Sequence, residues 1–107
     1  MGNFEKNNKI YTVDEIRQKL VPVFSNAPVY KAILFGSYAK GQADGQSDID
    51  IVIDSKRELL GLRFFGVRGA AEDIIQKEID MIEISQIKKD SPFFNDIYNE
   101  GIVIYER

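Results

Sequence analysis

The chain contains no cysteine and no histidine. Without cysteine there can be no disulfide, no zinc–thiolate site and no thiol nucleophile. Without histidine the usual general base and the usual transition-metal ligand are both missing. Acid–base or metal chemistry must therefore run on carboxylates. No apolar stretch approaches the roughly 20 residues needed to span a bilayer, so no membrane association is expected. No secretory signal is visible, which makes the cytosol the expected compartment. Met1-Gly2-Asn3-Phe4-Glu5-Lys6 begins like a myristoylation site, but Lys6 stands where serine or threonine is needed. An excess of positive charge is also absent: 14 Lys and Arg against 17 Asp and Glu give a net charge of −3. Proteins that grip nucleic acid through its phosphates usually present a basic surface, so direct nucleic-acid binding is not expected.

What is present suits a single small globular domain. At 107 residues and 44% hydrophobic content, one core can form. The stretch that organises the chain is Gly36-Ser37-Tyr38-Ala39-Lys40-Gly41, followed by Asp48-Ile49-Asp50-Ile51-Val52-Ile53. An apolar run, Ala32-Ile33-Leu34-Phe35, leads into it. In a strand, residues i and i+2 share a face about 6–7 Å apart. Asp48 and Asp50 would then stand side by side, with Ile49, Ile51 and Ile53 facing the other way. Ionising two adjacent carboxylates is costly unless a cation sits between them. Mg²⁺ takes oxygen ligands and commonly keeps substrate phosphates in its remaining positions. Gly36 and Ser37 offer a closely approachable backbone and a hydroxyl, both suited to phosphate. The pattern is that of a metal–nucleotide site.

These residues carry a family resemblance. GSYAKGQADGQSDIDIVI resembles the signature of the polymerase-beta-type nucleotidyltransferases, and at this length the chain is most similar to their minimal members. Ile79-Asp80-Met81-Ile82 resembles the strand that carries the family's third carboxylate. The resemblance covers about half the chain. It implies an α/β (α+β) polymerase-beta-like fold, a small mixed sheet with helices mainly on one face, and a short helix beginning at Ser37. Lys40, one turn into that helix, could add a cation for phosphate, although the family more often carries arginine there.

Read in order, residues 1–11 are polar and are expected to form a loose tail on a domain spanning 1–107. Thr12 and Glu15 form a capping-box pattern, and Val13, Ile16, Leu20, Val23 and Phe24 recur at helical spacing. Pro22 is expected to kink or shorten that helix. After a break at Asn26-Ala27-Pro28, Val29 to Phe35 reads as the first strand. The connection from Gly36 to Ser47 is near the lower limit for a parallel crossover, so pattern alone leaves the sheet direction open. Leu60, Phe64, Val67, Ala71, Ile74 and Ile75 form a helical stripe, which Gly66 and Gly69 would break or delay. Glu78 to Ile84 is the third strand. There Asp80 is preferred as third carboxylate over Glu78 and Glu83, whose strand-end positions suggest solvent exposure. Ser91-Pro92 opens a last helix whose Phe93, Phe94 and Tyr98 are assigned to the core. Gly101 ends it, and Ile102 to Tyr105 is a last extended segment.

The resemblance supplies the chemistry: transfer of a nucleoside monophosphate, AMP from ATP, to a hydroxyl. Asp48, Asp50 and Asp80 are the implied catalytic and metal-binding set for two Mg²⁺ ions, with Mn²⁺ an alternative. Gly36, Ser37 and Lys40 are the implied nucleotide-binding set. Minimal members commonly pair with a helical HEPN-type toxin and add AMP to one of its tyrosines, acting as antitoxins. Two other readings stay open: transfer to a small molecule, as in aminoglycoside nucleotidyltransferases, and a non-catalytic partner that neutralises by binding. Homo- and hetero-oligomers both stay open.

Overall fold

The computed structural model describes residues 7–107. Helix α1 (Val13–Ser25) opens on the expected capping box: Thr12 Oγ1 accepts the Glu15 N–H, and Glu15 Oε1 accepts the Thr12 N–H. The helix continues through Pro22 and ends three residues beyond it, at Ser25. Strand β1 (Lys31–Phe35) passes directly into α2, a single turn over Gly36–Ala39. Strand β2 (Ile49–Asp54) follows, then helix α3 (Leu62–Ile75) and strand β3 (Ile79–Glu83). A 3-10 turn (Ile84–Gln86), helix α4 (Pro92–Glu100) and strand β4 (Ile102–Glu106) complete the chain.

The four strands lie in the order β3-β2-β1-β4. β1 is antiparallel to both β2 and β4, whereas β2 and β3 are parallel. The sheet is therefore mixed, with α3 supplying the crossover that a parallel pair requires. Alternation sorts its two faces. Ala32, Leu34, Ile49, Ile51, Ile53, Ile79, Met81 and Ile104 are buried on one face, beneath Ile16, Leu20 and Phe24 of α1 and Ala71 and Ile75 of α3. Each large apolar side chain so buried stabilises the fold by about 1.5–3 kcal/mol. On the opposite face Ile33 and Val52 pack against Ile97 of α4, with Phe35, Ile84 and Ile87 partly buried beside them. That face is the sparsely covered one.

Several expectations are corrected. Residues 7–11 are not a loose tail: Tyr11 is buried, and its hydroxyl donates to the Ile75 carbonyl at 2.6 Å. Residues 1–6 lie outside the described residues. Helix α3 is unbroken by Gly66 and Gly69 and begins late, after Gly61, while Leu60 and Ile74 leave the stripe and are partly exposed. In α4, Ile97 is the buried residue; Phe93 and Tyr98 are 38% and 59% exposed, because a nine-residue helix on a narrow sheet buries only one stripe. Among the described residues no helix is long and apolar enough to cross a membrane.

Candidate active site

The sparsely covered face gathers the predicted carboxylates. In the β1–β2 register Asp50 lies opposite Phe35, and in the β2–β3 register it lies opposite Asp80. Adjacent strands are about 4.8 Å apart, so Asp50 and Asp80 are immediate neighbours. Asp48 sits two residues before Asp50, in the extended approach to β2. Asp80 is exposed, since alternation in β3 buries Ile79, Met81 and Glu83 instead. Asp50 is the inner member. Its carboxyl is raised from 3.8 to about 6, first by burial, then by the charge of Asp80, then by that of Asp48. Among the described residues neither Asp50 nor Asp80 has a cationic side chain within ion-pair distance.

The turn that precedes β2 in the sequence also closes on Asp50. Gly36 has φ +70°, a left-handed conformation that glycine adopts without strain. A Cβ at Gly36 would overlap the Asp50 carboxylate, so two constraints converge on one residue. The short helix starts here, one residue before the expected Ser37. Ser37 is half-buried within it, and the Lys40 N–H closes the turn onto the Gly36 carbonyl at 3.1 Å. Lys40 itself is exposed and pairs with Glu100 of α4 at 3.7 Å. Of the predicted site residues, Gly36, Asp50 and Asp80 are brought into direct proximity, Asp48 and Ser37 flank them, and Lys40 lies at the rim. Phe35, Gly36, Lys40, Phe93 and Glu100 contribute to the lining of a cleft of about 220 Å³ between α2 and α4.

The donor set fits a hard divalent ion. All its ligands would be oxygens, and Asp50 carries an electrostatic strain that a cation would relieve. Among the described residues no three carboxylates converge so closely as to hold an ion by themselves. An ion such as Mg²⁺ is usually bound by one or two carboxylates with water and substrate phosphates completing the shell, so neighbouring pairs from Asp48, Asp50 and Asp80 are the residues that could hold one.

The rival carboxylates are separated by their surroundings. Glu78 is exposed at the start of β3. Glu83, expected at a solvent-exposed strand end, is instead only 2% exposed and structural. It accepts the main-chain and hydroxyl groups of Ser55 at 2.9 and 2.7 Å and those of Ser85. Burial works against its charge, but these hydrogen bonds outweigh it and hold Glu83 at about 2. Sequence reading also missed Phe35 and Glu100 as neighbours of the site. Phe35 precedes Gly36 directly, but its place opposite Asp50 follows from an antiparallel register that pattern alone left open, and the Lys40–Glu100 approach depends on how α4 packs.

Comparison with known proteins gives this geometry a context. A family model described as polymerase beta, nucleotidyltransferase matches residues 18–107. The Methanocaldococcus jannaschii protein named "Putative protein adenylyltransferase MJ0435" is 30% identical over 91 residues, covering 84% of this chain and 95% of that protein. The like-named MJ1215 of the same organism is 30% identical over 83 residues, covering 74% and 96%. Among solved structures, a toxin-antitoxin crystal structure with AMP-PNP superposes with a TM-score of 0.69 at 17% identity, covering 85% of this chain and 73% of that one. A mutant of the toxin-antitoxin MntA-HpeT gives 0.66 at 14% identity, with the same coverage. At such identities the likeness is one of fold. The family match spans most of the chain and both relatives are covered almost from end to end, so this protein belongs to the polymerase beta nucleotidyltransferase family and is a nucleotidyltransferase of its minimal type.

Proposed function

We propose that this nucleotidyltransferase moves AMP from ATP to a tyrosine hydroxyl of a HEPN-type helical toxin, and so acts as that toxin's antitoxin in the cytosol. The observation that carries the chemistry is the placement of Asp50 beside Asp80 across a parallel strand pair, with the Gly36 turn pressed against Asp50. The names of the relatives support protein as acceptor, and the toxin-antitoxin neighbours, one of them with AMP-PNP, support the setting and the nucleotide.

Asp48 and Asp50 would hold the Mg²⁺ ions, or Mn²⁺ in their place, with Asp80 completing the ion beside the attacking hydroxyl. When bound, such ions neutralise developing charge and lower the pKa of that hydroxyl. The Gly36-Ser37 turn holds the β and γ phosphates. The tyrosine oxygen attacks the α-phosphorus, a new P–O bond forms, the α–β phosphoanhydride bond breaks, and pyrophosphate departs. Asp80, exposed at the mouth, is placed to pass the hydroxyl proton to water. Chemistry of this class depends chiefly on positioning and electrostatics, which a small set of rigidly held groups can supply.

The test is co-expression with a helical protein encoded beside this chain, followed by purification and intact-mass measurement. A stable complex, with AMP mapped to a tyrosine of the partner, supports the reading. A partner that binds without gaining AMP overturns the enzymatic part, and absence of any complex overturns the antitoxin part.

A further inference from the structure

Among the described residues Lys77 is the most deeply buried charged side chain. It is 0% exposed, and a buried ammonium is costly unless hydrogen-bonded. Its Nζ donates to two main-chain carbonyls from distant segments, Asn7 and Gly45, each at 3.1 Å. Gly45 belongs to a turn closed by the Ser47 N–H on the Asp44 carbonyl at 3.1 Å, and this turn leads straight into Asp48. The turn rests on the strap formed by residues 7–9. Gln46 Nε2 donates to Asn8 Oδ1 at 2.9 Å, and a Cβ at Gly45 would lie 2.7 Å from the Asn8 carbonyl oxygen. The strap is tied in turn to the end of α3 through the Asn7 N–H on the Gln76 carbonyl at 3.1 Å.

Lys77 stands three residues before Asp80, and the next residue's carbonyl accepts the Ile49 N–H at 3.1 Å where the β2–β3 pairing begins. One ammonium thus joins the loop that leads to Asp48 with the strand that leads to Asp80. We propose that Lys77 is a positioning residue, fixing the 44–48 loop against the start of β3 and thereby fixing Asp48 relative to Asp50 and Asp80. The proposal rests on the metal-site reading above for what the positioning serves. Lys77 does not touch the reacting atoms; it acts through the loop. A neutral side chain would leave two partly buried carbonyls without this donor and free the loop to open.

The experiment uses the full chain with Lys77→Met, Lys77→Arg, and Ile104→Ala as a control that loses core packing on the far strand. Two readouts independent of turnover are taken: Mn²⁺ affinity from the signal of the free ion, and amide exchange over residues 44–48. Lys77→Met is expected to weaken Mn²⁺ binding about tenfold, as loss of outer-shell support does at metal sites, and to speed exchange in the loop. Lys77→Arg recovers part of both, and Ile104→Ala melts lower with Mn²⁺ affinity unchanged. Unchanged affinity and unchanged loop exchange in Lys77→Met overturn the proposal, as does an equal loss of affinity in Ile104→Ala. Should Lys77→Met not fold, Lys77→Arg and the milder Gln46→Ala decide: no change in either readout in both variants overturns it. Absence of Mn²⁺ binding by the wild type would instead sink the metal-site reading, and loop exchange would still decide the role of Lys77.

Discussion

Replacing Asp50 with asparagine should stabilise the metal-free protein while abolishing its chemistry. The carboxyl of Asp50 is raised from 3.8 to about 6, by burial first and by Asp80 and Asp48 after it. At 1.36 kcal/mol for each pKa unit this corresponds to about 3 kcal/mol against the charged form. Asp50 keeps part of its surface in water, and screening reduces the effect to about 1–2 kcal/mol. A group whose folded-state pKa lies above its unfolded value contributes stability that is complete below the unfolded value. That contribution is lost as pH rises through the window from 3.8 to about 6. Asparagine carries no charge at any of these pH values and escapes the loss. The expected result is a melting temperature about 4–10 °C higher for Asp50→Asn than for wild type at about pH 7, with chelator present. The gap should close at about pH 4, where Asp50 is protonated in the wild type as well. Thermal melts followed by circular dichroism across this range would measure it. A gap that is absent at neutral pH, or that does not change with pH, would refute the view of Asp50 as an electrostatically strained carboxylate.

Other perturbations follow from the same geometry. Gly36→Ala must take up a left-handed φ and displace the Asp50 carboxylate, so it should cost about 1–3 kcal/mol and sharply lower transfer; denaturant melts and single-turnover rates would show both. Glu83→Gln replaces a buried acceptor of the Ser55 and Ser85 donors. It should destabilise by about 1–3 kcal/mol at neutral pH. The folded-state value of about 2 lies below the unfolded 4.5, so this difference is present above 4.5 and fades as pH falls toward 2, which denaturant midpoints at two pH values would reveal. Lys40→Met breaks an exposed pair with Glu100 and should change stability by less than about 0.5 kcal/mol, while raising the KM for ATP; a KM that does not move would remove Lys40 from nucleotide binding.

The local rules of the chain were legible wherever short-range chemistry decides. Thr12 with Glu15, and Ser91 with Pro92, mark helix starts because caps are satisfied within one turn. The period of two in β2 placed Asp50 opposite the buried isoleucines, and the fold carries that alternation out. What the sequence could not show depends on long-range packing. Helix α3 survives Gly66 and Gly69 because Gly69, Ala71, Glu72 and Ile75 are buried against the rest of the fold, a tertiary gain larger than the propensity cost. Glu83 reads like any strand-end carboxylate until Ser55, 28 residues away, is seen to bond it. Lys77 likewise looks like a surface lysine, since its partners Asn7 and Gly45 are 70 and 32 residues distant. The aromatic residues of α4 were misread because an apolar type was taken for a buried position: only Ile97 of the helix is buried, and Phe93, although it meets Phe35 of β1 edge-on, stays partly exposed.

The most direct test of the central claim is transfer of label from α-phosphate-labelled ATP to a co-expressed partner in the presence of Mg²⁺, comparing wild type with Asp50→Asn. Label on the partner with wild type and none with Asp50→Asn is the predicted result. Equal labelling by the two proteins would contradict the assignment of the chemistry to Asp50. No label with either, while wild type still binds ATP and the partner, would contradict nucleotidyl transfer to that partner.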